Sequence, residues 1–416
     1  MATTQDLSAL FKEVYGDKLH DLIPDGTKLL KKIPFRSSEK TGDKYIQPVL
    51  LSAEQGFTYN SDGTAFSLND AETAVMKEAQ VDGSELLLRS SISYRHASKA
   101  AEKGSRSFAQ WTSLVVKNMM NSMAKRLEIS MLYGSSPSGI GAVNADPGAA
   151  SGGKVTFVVS EASFAPGIWS GQEGASLDIY DSSLATQRNN SGTDFKITAV
   201  NLDTRSITIS GDAGDLGDID AADIIYFKGS KASDMSGIDK IVTNTGSLFN
   251  IDASNYALWS GSSSAVGGAL TFSKMLKGVS KAVAKGLDED VICVVNPEVY
   301  ESLNSSDVAA NRSYDKSYSS SKSENGSEGI VYHGQNGKIE VVPSIYCKLS
   351  EGFIIPVSSC KRVGSTDVTF RLPGKSDEEI FLQLSGAAGY ELRSYSDQGL
   401  FCDSPSKLVK LTGITV

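Results

Sequence analysis

The chain has 416 residues but only three histidines, four cysteines and three tryptophans. Scarce histidine leaves little material for common catalytic and metal sites, because imidazole is the usual proton carrier near neutral pH and the commonest metal ligand. His20, His96 and His333 lie in unrelated segments, with no H-E-x-x-H or H-x-x-H spacing. Cys293, Cys347, Cys360 and Cys402 are widely spaced in the last third. They read as reduced thiols of a cytosolic product rather than as a disulfide framework. Apolar runs are short as well: 291–295 and 353–357 fall far below the roughly 20 residues of a membrane-spanning helix. The opening MATTQDLSALFKEVYG lacks the basic stretch and apolar run of a secretory signal. The N-x-S triplets at Asn189, Asn304, Asn311 and Asn325 therefore carry little meaning. Positive charge is in deficit, with 40 Lys and Arg against 49 Asp and Glu and a net charge of −9. This excludes a broad cationic surface that grips nucleic acid by its phosphates, but not a wall that merely encloses it.

Phosphate and nucleophile motifs are also missing. Gly139-Ile140-Gly141 begins like G-x-G-x-x-G, but Asn144 takes the third glycine's place and no βαβ pattern surrounds it. Gly374-Lys375-Ser376 resembles the end of a phosphate loop, but Thr369 stands where the first glycine belongs. No G-x-S-x-G elbow occurs, and Ser170 and Ser260 are loop serines beside tryptophans packed at a domain edge. Asp212, Asp215, Asp218, Asp220 and Asp223 are spaced closely enough to wrap calcium, yet without the D-x-D-x-D-G order and distant glutamate of an EF-hand. A solvated loop is the plainer reading. Lys274, Lys277, Lys281 and Lys285 share one helix face, which reads as a solvated face rather than a phosphate site. No catalytic, cofactor-binding or metal residue is expected, apart from that calcium candidate.

What is present begins with a long helix. Ser107 and Gln110 form an S-x-x-Q capping box, and Gly134 suits a left-handed stop. Between them Phe108, Trp111, Val115, Met119, Met123, Leu127 and Met131 recur at spacings of three and four. Leu114, Met120 and Leu132 widen the stripe, and Lys117, Lys125, Arg126 and Glu128 are assigned to the remaining face. The rod is on the order of 40 Å long.

Around it the chain divides into parts. Residues 1–40 form an arm whose stripes, Leu7, Leu10, Phe11, Val14 and Tyr15, then Leu19, Leu22 and Ile23, are too short to be stable alone. Residues 41–104 read as an extended β excursion, with strands at 44–51 and 86–94 and a polar stretch at 52–82 between them. A two-stranded ribbon is marginal in isolation and needs another surface, such as another subunit. After a Gly/Pro/Ala-rich break at 135–153, the stretch 153–236 reads as a small all-β barrel or sandwich inserted into its host. Its expected strands include Val155–Val159, Leu177/Ile179, 195–199 against 207–209, and 223–228. From 237 the texture is mixed α/β: Thr271 caps a helix, VICVV (291–295) leads into an Asn296-Pro297 helix start, and further strands follow at 338–342, 352–357, 367–372, 379–384, 389–395 and 406–411. The Ser-rich 302–327 reads as a surface loop.

The order of these parts resembles a tailed-phage major capsid protein of the HK97-like fold. The exit Leu132-Tyr133-Gly134 with the Gly-rich 138–143, the return at Ile251-Asp252 and Trp259-Ser260-Gly261, the run VVNPEVYESL (294–303) and the ending YELRSYSDQGLF…KLVKLTGI (390–414) are similar to that family's landmarks. The resemblance implies an α+β fold with an N-terminal arm at 1–40, an E-loop at 41–104, a P-domain at 105–152 and 237–290 with spine helix 107–133, the inserted β domain at 153–236, an A-domain at 291–400 and a closing strand at 401–416. It implies a non-enzymatic shell protein, made in a bacterial cytoplasm, that assembles with itself into hexamers and pentamers of an icosahedral capsid around double-stranded DNA. Portal, a separate scaffolding protein and a decoration or cement protein are the further partners implied; no cofactor and no membrane are. The inserted domain is expected to fold by itself on the outer surface. An encapsulin-type nanocompartment shell is the nearer alternative, and a β-rich secreted binding protein or enzyme the more distant one.

Overall fold

The computed structural model describes residues 27–36, 44–61, 63, 65–93, 105–305, 330–370, 381–384, 386 and 388–416. The arm stripes at 7–23, the capping side chains Ser107 and Gln110, His20, His96, Gly374-Lys375-Ser376 and most of the Ser-rich tract lie outside what is described.

Two sheets carry the body. The first is mixed and six-stranded, in the spatial order Ser262–Gly268, Val409–Ile414, Glu351–Ile355, Val291–Val295, Lys338–Pro343, Ile330–His333. VICVV sits inside it and is buried at all five positions, as a continuous apolar run requires when both faces are covered. Helix Phe272–Val283 covers one face with Met275, Val279 and Ala282. Thr271 caps it as expected, accepting a hydrogen bond from the Lys274 N–H at 3.3 Å. Asn296 likewise accepts from the Glu298 N–H at 3.0 Å and starts helix Pro297–Leu303.

The second sheet is built on the fourteen-residue strand Gly389–Cys402, which pairs antiparallel with Cys360–Thr369, Phe381–Gln383 and Ser84–Ser93. The last pairing corrects the sequence reading. Lys44–Leu50 does not pair with the strand near 86–94; it pairs with Met76–Asp82. MKEAQVD shows no regular apolar alternation because only its root, Ala79 and Val81, is buried. The chain changes sheets at Gly83, where a Cβ would lie 1.9 Å from Asp397 Oδ1.

A third sheet has six antiparallel strands in the order Gly141–Ala142, Ile224–Phe227, Ser176–Tyr180, Phe195–Asn201, Ser206–Ser210, Lys154–Val158. Its outer strands meet through a Val143–Val159 bridge, with Asn144 N–H donating to Val158 O and Ser160 N–H to Ala142 O, both at 2.8 Å. That closes the sheet into a barrel. Phe157, Leu177, Ile179, Phe195, Ile197, Ile207, Ile209 and Ile225 are buried in it. The first strand comes from the Gly-rich stretch that the sequence suggests is only a break. The barrel also shares one apolar core with the body. Residues 162–167 zip onto 345–350: Gly167 N–H donates to Ile345 O at 2.9 Å, and Leu349 and Ser350 N–H donate to Phe164 and Ala162 O at 3.1 Å.

Helix Ser105–Tyr133 joins these layers. Its 29 residues make a rod of about 43 Å. Met119, Met123, Leu127 and Met131 are buried on the predicted stripe. Lys125 and Glu128 are buried too, against the expectation of a polar outer face. The last three turns are enclosed by body, barrel and arm, so sequence polarity does not mark solvent there. The helix end also differs from expectation. Ser135, at φ 46°, takes the left-handed turn, not Gly134. Gly134 is needed for close approach: a Cβ would sit 2.3 Å from Met235 O, and Gly237 N–H donates to Gly134 O at 2.9 Å. Gly134→Ala is expected to cost about 1–3 kcal/mol through overpacking. The check is a urea midpoint that falls with unchanged slope.

Candidate assembly site

Residues 27–36, the base of the arm, are held by side chains from distant parts of the chain. Helix Lys28–Lys32 is too short to persist alone, and Thr27 supplies no side-chain cap. The cap comes from Glu128 on the long helix, whose two carboxylate oxygens accept from the Leu29 N–H at 2.8 Å and the Leu30 N–H at 2.6 Å. These are donors that a helix start leaves without intrahelical partners. Arg362 holds the other end, its Nε donating to Ile33 O at 2.8 Å while Nη1 donates to Gln398 Oε1 at 2.7 Å. Arg36 N–H returns a bond to Arg362 O at 3.1 Å. Lys32 pairs with Glu340 at 2.6 Å.

Burial pushes the Glu128 carboxyl up to about 7, against the pull of the Leu29, Leu30 and Lys28 N–H groups and the Lys31 charge. The docked form therefore binds more protons than the released form between the ordinary value of 4.5 and about 7. Docking is strongest below pH 4.5 and weakens as pH rises through 7. Glu128→Gln is expected to flatten this dependence, because an amide oxygen still accepts but carries no charge. Hydrogen exchange at the Leu29 and Leu30 amides across that range reads the effect. An unaltered pH profile in the variant would contradict it.

A second buried network braces the exit of the long helix. Lys410 Nζ lies 2.6 Å from Asp239 Oδ1 and 2.7 Å from Glu351 Oε1. Asp239 also accepts from the hydroxyls of Ser136 and, at 2.7 Å, Ser138. Lys348, wholly buried, donates to Ser138 O and Gly139 O at 3.0 Å and lies over the Tyr133 ring. Its own N–H donates to the Tyr133 hydroxyl at 2.9 Å. Burial raises the Asp239 carboxyl, but the charges of Lys410 and Lys348 outweigh it and hold the group below its usual 3.8. Its stabilising effect is therefore present above pH 3.8 and is lost as pH falls below that. Asp239→Ala leaves the buried Lys410 ammonium with only Glu351 of its two carboxylates and removes the acceptor of the Ser136 and Ser138 hydroxyls, and is expected to cost about 1–3 kcal/mol. Urea unfolding at pH 7 and pH 3 checks both the size and the narrowing of the gap in acid.

The structure disperses the residues singled out as site candidates. Asp212 caps a short helical turn by accepting from the Gly214 N–H at 2.9 Å. Asp215 accepts from the Ser191 N–H at 3.1 Å and from its hydroxyl. Asp218 ends that turn. Asp220 and Asp223 both pair with Arg188, at 3.3 and 2.8 Å. The five carboxylates hold the barrel's loops and do not converge, and among the described residues no cluster of three or more ligating side chains forms. Lys274, Lys281 and Lys285 donate to the carbonyls of Ala269, Ser263 and Ser260, at 2.6–2.8 Å. Trp169 and Trp259 are buried beside Ser170 and Ser260, and Gly139–Gly141 runs into the barrel's first strand.

Among the described residues, most of the exposed large apolar side chains lie on the ribbon. Ile46, Leu50 and Met76 are exposed on its strands, and Phe57, Tyr59, Phe66 and Leu68 at its tip, Tyr59 by 92%. The tip is nonetheless ordered by hydrogen bonds: Asn69 N–H to Thr58 Oγ1 at 2.9 Å, Asn69 Nδ2 to Phe57 O at 2.8 Å, and Leu51 N–H to Val75 O at 2.8 Å. At the root, Lys361 Nζ donates to the Tyr45 hydroxyl at 2.5 Å, and Tyr45 and Phe249 pack on Phe401 with centroids 5.3 and 5.5 Å away. The result is a braced ribbon that presents apolar side chains outward, an arrangement suited to burial against another chain.

The whole described architecture matches the capsid asymmetric unit of cyanophage A-1(L), with a TM-score of 0.57, 11% identity, and 100% of both chains covered. The chain has a phage-capsid fold. The capsid of a native GTA particle matches with a TM-score of 0.51 and 9% identity over 98% of this chain and 96% of that one. The capsid of an empty GTA particle gives 0.51 and 8% over 99% and 98%. No family model matches the sequence, and no curated protein does either. Within the capsid fold the clamp on the arm base and the brace at the helix exit were missed by sequence reasoning. The one signal for the clamp was Glu128, set among Leu127, Ile129, Met131 and Leu132 in the last turns of the helix.

Proposed function

We propose that this chain is the major capsid protein of a tailed phage, assembling with itself into a closed icosahedral shell of hexamers and pentamers around double-stranded DNA. The observation that carries this reading is the end-to-end match of the fold to a phage capsid chain. The parts take the roles the family resemblance assigns. The ribbon is the E-loop, laid over a neighbouring copy, where its exposed Phe57, Tyr59, Phe66 and Leu68 are buried. Helix Ser105–Tyr133 is the spine of the P-domain, and the mixed sheet Ser262–Ile414 belongs to the body around the A-domain. The barrel at 141–227 is the inserted domain, exposed on the outer face, where it contacts neighbouring capsomers or a decoration protein. The role is structural and not enzymatic. A net charge of −9 suits an inner wall that confines DNA without binding it tightly. Portal and a separate scaffolding protein complete assembly in the host cytoplasm.

The test separates folding from assembly. The triple variant Phe57→Ser, Tyr59→Ser, Leu68→Ser is expected to melt within a few degrees of the parent protomer, because these side chains touch no core. It should sediment as small species where the parent gives megadalton shells. Shells formed normally by the variant would remove the ribbon from the assembly contacts. Parent particles that enclose protein and no nucleic acid would shift the reading to a nanocompartment shell.

A further inference from the structure

Cys360 opens its strand and Cys402 closes the strand beside it, and the two are direct register partners in an antiparallel pair. The next pair in the same register is Ser359 with Asp403, and it is hydrogen-bonded, with Asp403 N–H donating to Ser359 O at 3.1 Å. Bonded and non-bonded pairs alternate along an antiparallel ladder, so Cys360 and Cys402 form a non-hydrogen-bonded pair. Their Cα atoms are then about 4.5 Å apart with side chains on the same face. That separation lies inside the ~4.4–6.8 Å range of disulfides. Both residues are buried in one apolar cluster. Burial holds the Cys402 thiol well above its ordinary range, and the neighbouring Cys360 thiol acts in the same direction.

Cys293 and Cys347 give an internal contrast. Cys293 packs with Val291, Val295 and Met275 on one face of the central strand, whereas Cys347 packs with Ile292 and Val294 on the other. Cys347 Sγ donates instead to the carbonyls of Glu351 at 3.4 Å and Val294 at 3.8 Å. The strand itself separates these two thiols.

We propose that Cys360 and Cys402 are a dithiol built to close into an intramolecular disulfide when the protein meets an oxidising disulfide. One thiol loses its proton and attacks a sulfur of the oxidant, releasing one thiolate and leaving a mixed disulfide. The second thiol loses its proton and attacks the protein-bound sulfur, releasing the other thiolate. The protein gives up two electrons and two protons, and the oxidant becomes two thiols. Reaction requires a brief opening of the pair, and its place at the end of both strands makes that a local event rather than global unfolding. The bond lies beneath the assembly parts. The adjacent Lys361 and Phe401 hold Tyr45 at the ribbon root, and Arg362 holds Ile33 at the arm base. In a reducing cytosol the pair stays open, and closure stiffens this platform after release.

The four cysteines fall on four different tryptic peptides, at 286–312, 339–348, 349–361 and 394–407, so the linkage can be read directly. Native protein is incubated with oxidised glutathione, free thiols are trapped with N-ethylmaleimide under denaturing conditions, and the digest is analysed by mass spectrometry. The expected product is peptide 349–361 joined to 394–407 within one chain, about 2 Da lighter than the two reduced peptides summed. Peptides 286–312 and 339–348 should carry the full label. Oxidation should also raise the melting temperature of the parent, and that rise should vanish in Cys402→Ala. Full labelling of Cys360 and Cys402 after oxidation would overturn the proposal, as would either cysteine joined to a second chain.

Discussion

The enclosure of the last turns of helix Ser105–Tyr133 is the constraint on which the rest depends. A helix buried on all sides must satisfy every polar group that it carries inward. Glu128 does so by taking the free N–H groups of the arm-base helix, and Lys125 by donating to Ser170 O near the barrel. Tyr133 accepts from the backbone of Lys348. One element therefore ties three others to itself through groups that would be costly to bury unpaired.

This arrangement divides the molecule into a braced interior and an unpartnered periphery. Buried ionic groups at Asp239, Lys410, Lys348 and Glu128 specify how arm, helix, barrel and sheet meet. Their geometry restricts alternatives more than it adds net stability, since desolvation offsets much of the attraction. At the periphery the ribbon keeps its own hydrogen bonds but leaves large apolar side chains outward. A protein that assembles by many repeated contacts needs this combination: parts that keep their shape before assembly, and apolar surface that is covered afterwards.

The barrel follows the same logic. Its interior is filled by its own alternating strands, yet its 162–167 turn is hydrogen-bonded to the loop at 345–350, and Arg126 of the long helix lies 3.3 Å from the centre of the Phe227 ring. A barrel attached this way transmits force to the helix instead of swinging on its connections.

Local patterning was enough to reveal the long helix, the capped starts at Thr271 and Asn296, the buried VICVV strand and most strands of the barrel, because those features rest on periodicity and cap chemistry within a few residues. The order of parts carried the resemblance to the capsid fold. Tertiary structure alone decided strand pairing. Met76–Asp82 has too little buried surface to show alternation, and nothing local tells Ser84–Ser93 to leave the ribbon for Gly389–Cys402. It also decided which charged residues are interior. Glu128 and Lys125 look like a solvated face until distant segments supply partners about 100 and 45 residues away in the chain. Gly134 shows the same limit: its type suggests a left-handed turn, but the real demand is the approach of Met235 and Gly237, which no local pattern records. Periodicity is a property of a segment, whereas pairing, burial of charge and close contact depend on chain brought from elsewhere.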